Sequence, residues 1–225
     1  MTCLHPHSGQ RLAQASHSTR KVSGSSKNHL SGFFVFGDDE GRVVQSESHL
    51  EFNYALCLAA HPDTADLHEQ VPFEWCDRDG KLRNHYFDFV VTRADGKRVA
   101  YTVKPLVGCR GKFAATIPHI AQQARKSKRY EDVRLLTDAD LDRISLFNAK
   151  LLHACRAMHP EHDTVASAVV RSMQGVTSIG DLVTETGLFG DGFRALVRLI
   201  RSRHLRLRDH EAITYGAAIY KAKSL

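Results

Sequence analysis

Two apolar runs joined across a tight turn constrain this chain most. In His85 to Thr92, Phe87, Phe89 and Val91 share one face of an alternating strand, and Arg98 to Lys104 follows after Ala94-Asp95-Gly96. Asp-Gly between such runs is a strong hairpin signal, because both residues tolerate the backbone that a tight turn demands. Each run carries one charge that strand packing does not need. Asp88 interrupts Tyr86-Phe87-Asp88-Phe89-Val90-Val91, and Lys104 closes Val99-Ala100-Tyr101-Thr102-Val103-Lys104-Pro105. Pairing through the turn at 94–97 brings both charges toward the same end of a sheet. A charge held there alone is costly, so it needs a partner or a metal.

The flanking sequence supplies an α/β context. Phe33 to Phe36 is an apolar run ending in Gly-Asp-Asp-Glu-Gly. Leu50, Tyr54 and Leu58 lie four apart and predict an amphipathic helix, capped by Ser46 or Ser48 and ended by His61-Pro62-Asp63. Val71 to Cys76 reads as a strand, with Asp77-Arg78-Asp79-Gly80 as the next turn. A basic helix follows over roughly Phe113 to Arg129, with Pro118 interrupting it or opening its regular part. Val133 to Leu136 predicts a fourth, short strand. Thr137, with Asp138 and Asp140 behind it, predicts a helix reaching about Met158, where His159-Pro160 breaks it. The order α-β-β-β-α-β-α over residues 32–160 is that of a mixed α/β sandwich.

Residues 1–31 are rich in Ser, His, Lys and Gly without periodicity, and read as a mobile basic arm. The 225 residues, 42% hydrophobic and 25% charged, suit a globular protein. A net charge of +6 is compatible with a polyanionic partner but does not select one. The 5 Cys form no CxxC pair, so reduced thiols are expected, and no His pair has zinc-ligand spacing. Only His49 and His85 fall near the charged strands. No apolar run reaches the roughly 18 residues of a membrane span, and residues 1–30 hold no signal core, which predicts a soluble cytoplasmic protein without a membrane partner.

Hydrolysis of a phosphodiester suits the charged pair. It needs a hard divalent ion, held by carboxylates, to polarise the phosphate and activate a water. A lysine steadies the developing charge. Glu51, on the preceding helix, supplies a second carboxylate beside Asp88. Singly, each residue has a plainer reading. Asp88 suits an ion pair with an arginine, Glu51 a helix surface, and Lys104 the end of an edge strand. Their ordered co-occurrence favours the chemical reading.

The motifs Glu47-Ser-His-Leu-Glu51, Glu69-Gln70, Phe87 to Val91, Asp95-Gly96, Thr102-Val103-Lys104-Pro105 and Val133 to Leu141 together resemble the TnsA-type transposase endonucleases, over roughly residues 31 to 220. That resemblance implies a restriction-endonuclease-like PD-(D/E)XK fold and cleavage of donor DNA at transposon ends. It further implies a Mg²⁺ or Mn²⁺ cofactor, double-stranded DNA as substrate, and a DDE transposase and an AAA+ ATPase regulator as partners. By position, Glu51 and Asp88 are metal ligands, the Val103 carbonyl is a further one, and Lys104 is the catalytic lysine. The sequence departs from the family at Thr102, where the pattern has Glu or Gln, and at Phe87, where it has Pro. Thr offers one neutral hydroxyl, a poor Mg²⁺ ligand. Two alternatives therefore stand beside the endonuclease: a degenerate DNA-binding or adaptor relative, and a stand-alone repair or restriction nuclease.

Residues 161–225 predict a second unit. Thr177-Ser178 caps a helix over Ile179 to Thr186, Gly187 to Gly192 turns, and a second helix runs from Phe193 to Arg203. Arg194, Arg198 and Arg201 share one face of it, Arg203, Arg206 and Arg208 extend the charge, and Leu205 and Leu207 alternate as in a wing. This is a winged helix-turn-helix pattern, with arginines placed for phosphates. A solvated cationic face on a protein-docking module is the alternative reading.

Overall fold

The structure, a computed structural model, describes residues 12–18, 31–38 and 40–222. The chain divides into two compact units between Leu141 and Asp142.

The first unit is a mixed α/β arrangement around a four-stranded sheet. Strands β1 (Gly32–Phe36) and β2 (Arg42–Ser46) form a separate antiparallel hairpin. Helix α1 (His49–Ala60) follows, and then β3 (Thr64–Cys76), β4 (Leu82–Arg93) and β5 (Arg98–Val103) pair as antiparallel neighbours. Helix α2 (Gly111–Lys126) returns the chain to β6 (Asp132–Leu136), which lies parallel to β5 and completes the order β3-β4-β5-β6. Both expected turns are present. Asp77 Oδ1 accepts the amides of Asp79 and Lys81, and Asp95 Oδ1 accepts that of Lys97. Gly80 and Gly96 sit at φ of 77° and 80°, which favours glycine.

Strand β3 begins seven residues before the predicted Val71, because buried Glu69 stands where the pattern asks for an apolar residue. Arg42 explains its tolerance, donating to Glu69 Oε2 at 3.4 Å, to Asp66 Oδ1 at 2.8 Å and to the Leu67 carbonyl at 2.7 Å. Pro72 is admitted because β3 is an edge strand. Helix α2 runs continuously through Pro118 rather than breaking there. Part of the expected mobile arm is seated instead: the Gln14 amide bonds to the Gly41 carbonyl and the Val43 amide to the Gln14 carbonyl, both at 2.9 Å. The rest of that arm, 1–11 and 19–30, lies outside the described residues.

Ile120 and Ala124 of α2 cover one face of the sheet, packing with Phe73, Phe87, Val90 and Ala100. Helix α1 contacts β3, β4 and β5. Phe87 and Val90 both belong to the cluster under α2, although strict alternation would part them.

The second unit contains α3 (Arg143–Ala154), α4 (Pro160–Ser172), β7 (Val176–Ser178), α5 (Ile179–Thr186), α6 (Phe189–Arg201), β8 (Leu205–Leu207) and β9 (Ala218–Lys221). The strands form a sheet of order β7-β9-β8, antiparallel throughout. Ala166, Val170, Leu182, Leu196, Leu205 and Ile219 are among its buried apolar residues. The helix predicted from Thr137 starts only at Arg143, capped by Asp142, and packs on α6. Thr137 instead closes a local turn, donating its amide and hydroxyl to Asp140 Oδ2 at 3.0 and 2.7 Å.

Helix α6 also differs from expectation, starting at Phe189 instead of Phe193. Gly190 and Gly192 suggest a turn, but a Cβ on Gly192 would fall 2.3 Å from Thr186 Oγ1. Gly192 is a helical residue that lets α5 and α6 approach. Among the described residues no helix is long and apolar enough to cross a membrane.

Candidate active site

Ser48 caps α1, its Oγ accepting the Glu51 amide at 3.1 Å. The cap places Glu51 at the third helical position, where the helix dipole favours negative charge. Its carboxylate folds back, with Oε2 accepting the Glu47 amide at 2.8 Å and Oε1 the Ser48 hydroxyl at 2.9 Å. Glu51 is thus buried and aimed by the start of its own helix.

Asp88 Oδ2 accepts the Val103 amide at 2.7 Å, and Oδ1 lies 3.5 Å from Gln70 Nε2. Burial, and then the negative charge of Glu51, push the Asp88 carboxyl up to about 7. Glu47 adds to this, while the Val103 amide and Gln70 pull the other way. The negative charge of Glu51 is thus felt at Asp88.

Thr102 is buried but turns elsewhere, its Oγ1 3.1 Å from His85 Nε2. The His85 ring lies edge-on to Phe87 at 5.0 Å, and burial pushes its pKa down to about 4. The imidazole is thus neutral near pH 7. Lys104 continues from β5, its amide bonded to the Leu136 carbonyl at 2.9 Å. Its Nζ sits over the Phe113 ring, 5.6 Å from the centroid, and its stem runs beside Gly108. Among the described contacts, Lys104 meets Phe113 and Thr102 meets His85, while Asp88 meets the Val103 amide and feels the charge of Glu51.

The described residues contain no group of three or more His, Cys, Asp or Glu side chains arranged to hold a metal ion. A hard cation at this site would draw on Asp88 and Glu51, with neutral oxygens completing its shell. Two carboxylates that influence each other, one of them partly buried with a raised pKa, fit such a cation electrostatically.

Gln70 is the residue whose position sequence reasoning does not reach. It appears in the Glu69-Gln70 motif without a role, and only strand register brings it level with Asp88. Glu69 pairs with Phe89 and Val71 with Phe87, which leaves Gln70 opposite Asp88.

The arginines of the second unit divide by use. Arg194, Arg203 and Arg206 are exposed. Arg198 Nε bonds Asp163 Oδ1 at 2.6 Å, with the two side chains only 12% and 22% exposed, and so ties α6 to α4. Arg201 lies near His153, where burial and then the charges of Arg156 and Arg201 hold the imidazole below its ordinary value. Arg208 pairs with Asp209 at 2.8 Å.

Neither a protein-family model nor a curated protein matches the chain.

Proposed function

We propose that the first unit is a PD-(D/E)XK-type nuclease domain of restriction-endonuclease-like fold, and that the second is a winged helix-turn-helix. The chain would then cleave one strand of double-stranded DNA in a TnsA-like transposition system, beside a DDE transposase and an AAA+ ATPase regulator. The observation that carries this reading is the Asp88 carboxylate held by the Val103 amide at the end of β5, with the Glu51 charge acting on it. The helix–sheet order and the α5–α6 pair followed by β8–β9 are compatible with both halves.

Asp88 and Glu51 would hold Mg²⁺ or Mn²⁺, with the Val103 carbonyl alongside. When bound, the ion supplies polarisation of the phosphate and acidity to a coordinated water. The Val103 amide fixes the rotamer of Asp88. The Ser48 hydroxyl and Glu47 amide fix that of Glu51. From its place over Phe113, Lys104 would reach a phosphate through the torsions of its flexible side chain.

A second reading has its own observation. Thr102 engages His85, and no third acidic, Cys or His ligand is in place among the described residues. That favours a degenerate relative that binds DNA, or an adaptor, without cutting. Nicking of supercoiled DNA with Mg²⁺ or Mn²⁺, alone and with a transposase partner, separates the two. The nuclease reading expects nicking that disappears in Asp88→Ala and in Lys104→Ala. Nicking that survives both substitutions refutes the site. Salt-sensitive DNA binding without any nicking supports the second reading.

A further inference from the structure

We infer that Gln70 supplies this site with the oxygen that Thr102 does not, making it a metal-facing residue carried by β3 rather than β5. The inference rests on the nuclease-type reading of Asp88 and Glu51.

Three observations carry it. First, Gln70 lies opposite Asp88 in the β3–β4 register, and its side-chain amide reaches Asp88 Oδ1 at 3.5 Å. Second, Gln70 is 2% exposed at a backbone φ of 50°, a left-handed conformation uncommon for a non-glycine residue. An ordinary strand conformation would send its side chain to one regular face of the sheet. Strained backbone of this kind persists only where surrounding structure enforces it, and it clusters at functional sites.

Third, its neighbours hold the kink from outside. Glu69 is fixed by Arg42 and by the Ser16 hydroxyl of the seated segment, while Val71 packs toward α2. Glu69 and Gln70 are consecutive and both buried. One turns to the arginine and the other to the acid.

The chemistry fits. An amide carries both a donor and an acceptor. With its NH₂ toward Asp88, Gln70 stabilises the carboxylate. A half-turn about the last side-chain bond presents Oε1, a neutral hard oxygen of the kind that completes Mg²⁺ and Mn²⁺ shells. Thr102 is committed to His85, so the position two residues before Lys104 contributes no such group.

Calorimetric titration of the full chain with Mn²⁺ tests this without reference to cleavage. Wild type should bind Mn²⁺, and Asp88→Ala should abolish binding. Gln70→Met, similar in length but without the amide, should weaken binding by about tenfold or more at an unchanged melting temperature. Gln70→Glu should bind about tenfold tighter, because a carboxylate replaces a neutral ligand. A residue that only shapes the strand predicts an unchanged constant for Gln70→Met. Weaker binding by Gln70→Glu, or an unchanged constant in a folded Gln70→Met, overturns the inference while Asp88-dependent binding preserves the site. If Gln70→Met fails to fold, Gln70→Leu takes its place with the same two outcomes. A wild type that binds no Mn²⁺ overturns the site and the inference together.

Discussion

The Val103 amide donates to Asp88 Oδ2 at 2.7 Å, fastening the acid of β4 to the backbone between Thr102 and Lys104. The bond sits just beyond the last ladder pair of the two strands, Phe89 with Tyr101. A side chain thus takes over where backbone pairing stops, and the strands can part without leaving the amide unsatisfied. Asp88→Ala should leave that buried amide without a partner, while Asp88→Asn keeps an oxygen for it. Urea melts without divalent ions should show Asp88→Ala losing about 1–3 kcal/mol relative to Asp88→Asn. Equal stabilities would mean that the bond contributes nothing to the fold.

Asp88 and His85 should give opposite pH slopes. Asp88 is raised to about 7 in the fold, so the folded state binds its proton more tightly than the unfolded chain. Its contribution is fully present near pH 4 and is lost as pH rises through 7. His85 is lowered to about 4, so its contribution is present above about pH 6.5 and is lost as pH falls toward 4. Each amounts to something on the order of 3 kcal/mol. In metal-free protein, Asp88→Asn should therefore become more stable relative to wild type as pH rises from 4 to 7. His85→Gln should gain relative to wild type as pH falls over the same range. Chemical denaturation at several pH values checks both signs, and parallel curves for all three proteins would refute them.

Much of the first unit was legible because its turns are chemical. Asp-Gly marks both loops of the β3–β4–β5 meander, and an acid inside an apolar strand marks the site. What stayed hidden depends on partners distant in sequence. The first half of β3 carries Glu69, which looks like a loop residue until Arg42 arrives from another strand. Strand β2 itself goes unpredicted, with Arg42 and Gln45 among its five residues. The placement of Thr102 beside His85 depends on a residue of the neighbouring strand, which no periodic pattern contains. In the second unit, Gly192 reads as a turn because only the crossing of α5 explains a glycine inside α6.

Arg42 carries the clearest stability prediction. Its side chain is 8% exposed and that of Glu69 is 0% exposed. Removing one member of a buried pair leaves an uncompensated charge, typically at about 3–5 kcal/mol. Arg42→Met should lose that much in urea denaturation, and the double substitution Arg42→Met with Glu69→Leu should recover most of it. Additive losses would show that the two side chains are not coupled.

Gly192→Ala should destabilise the second unit, because its Cβ would meet Thr186 Oγ1 at 2.3 Å. The hydroxyl cannot simply swing away, since it donates to the Val183 carbonyl at 2.7 Å and accepts the Leu188 amide at 3.3 Å. A loss of about 1–3 kcal/mol is expected despite the better helix propensity of alanine. Thermal melts of the single variant and of Gly192→Ala with Thr186→Ala check it. A stabilised single variant would mean that the helices separate freely.

Two kinds of arginine on one basic unit should respond differently to the same substitution. Arg194 and Arg206 are exposed and available to phosphates. Each phosphate contact contributes about 0.9 to the slope of log affinity against log salt concentration. Replacing both with alanine should lower that slope by roughly 2 if both reach the duplex. Arg198 is already committed to Asp163 across α4 and α6. Arg198→Ala should leave the slope unchanged and instead cost about 2 kcal/mol of stability. Fluorescence anisotropy with a labelled duplex between low and physiological salt gives the slopes, and urea melts give the stability. If Arg198→Ala lowers the slope while Arg194→Ala with Arg206→Ala does not, the DNA-facing surface lies on the α4 side of α6. An unchanged slope in every variant would remove the second unit from DNA binding and leave protein docking as its use.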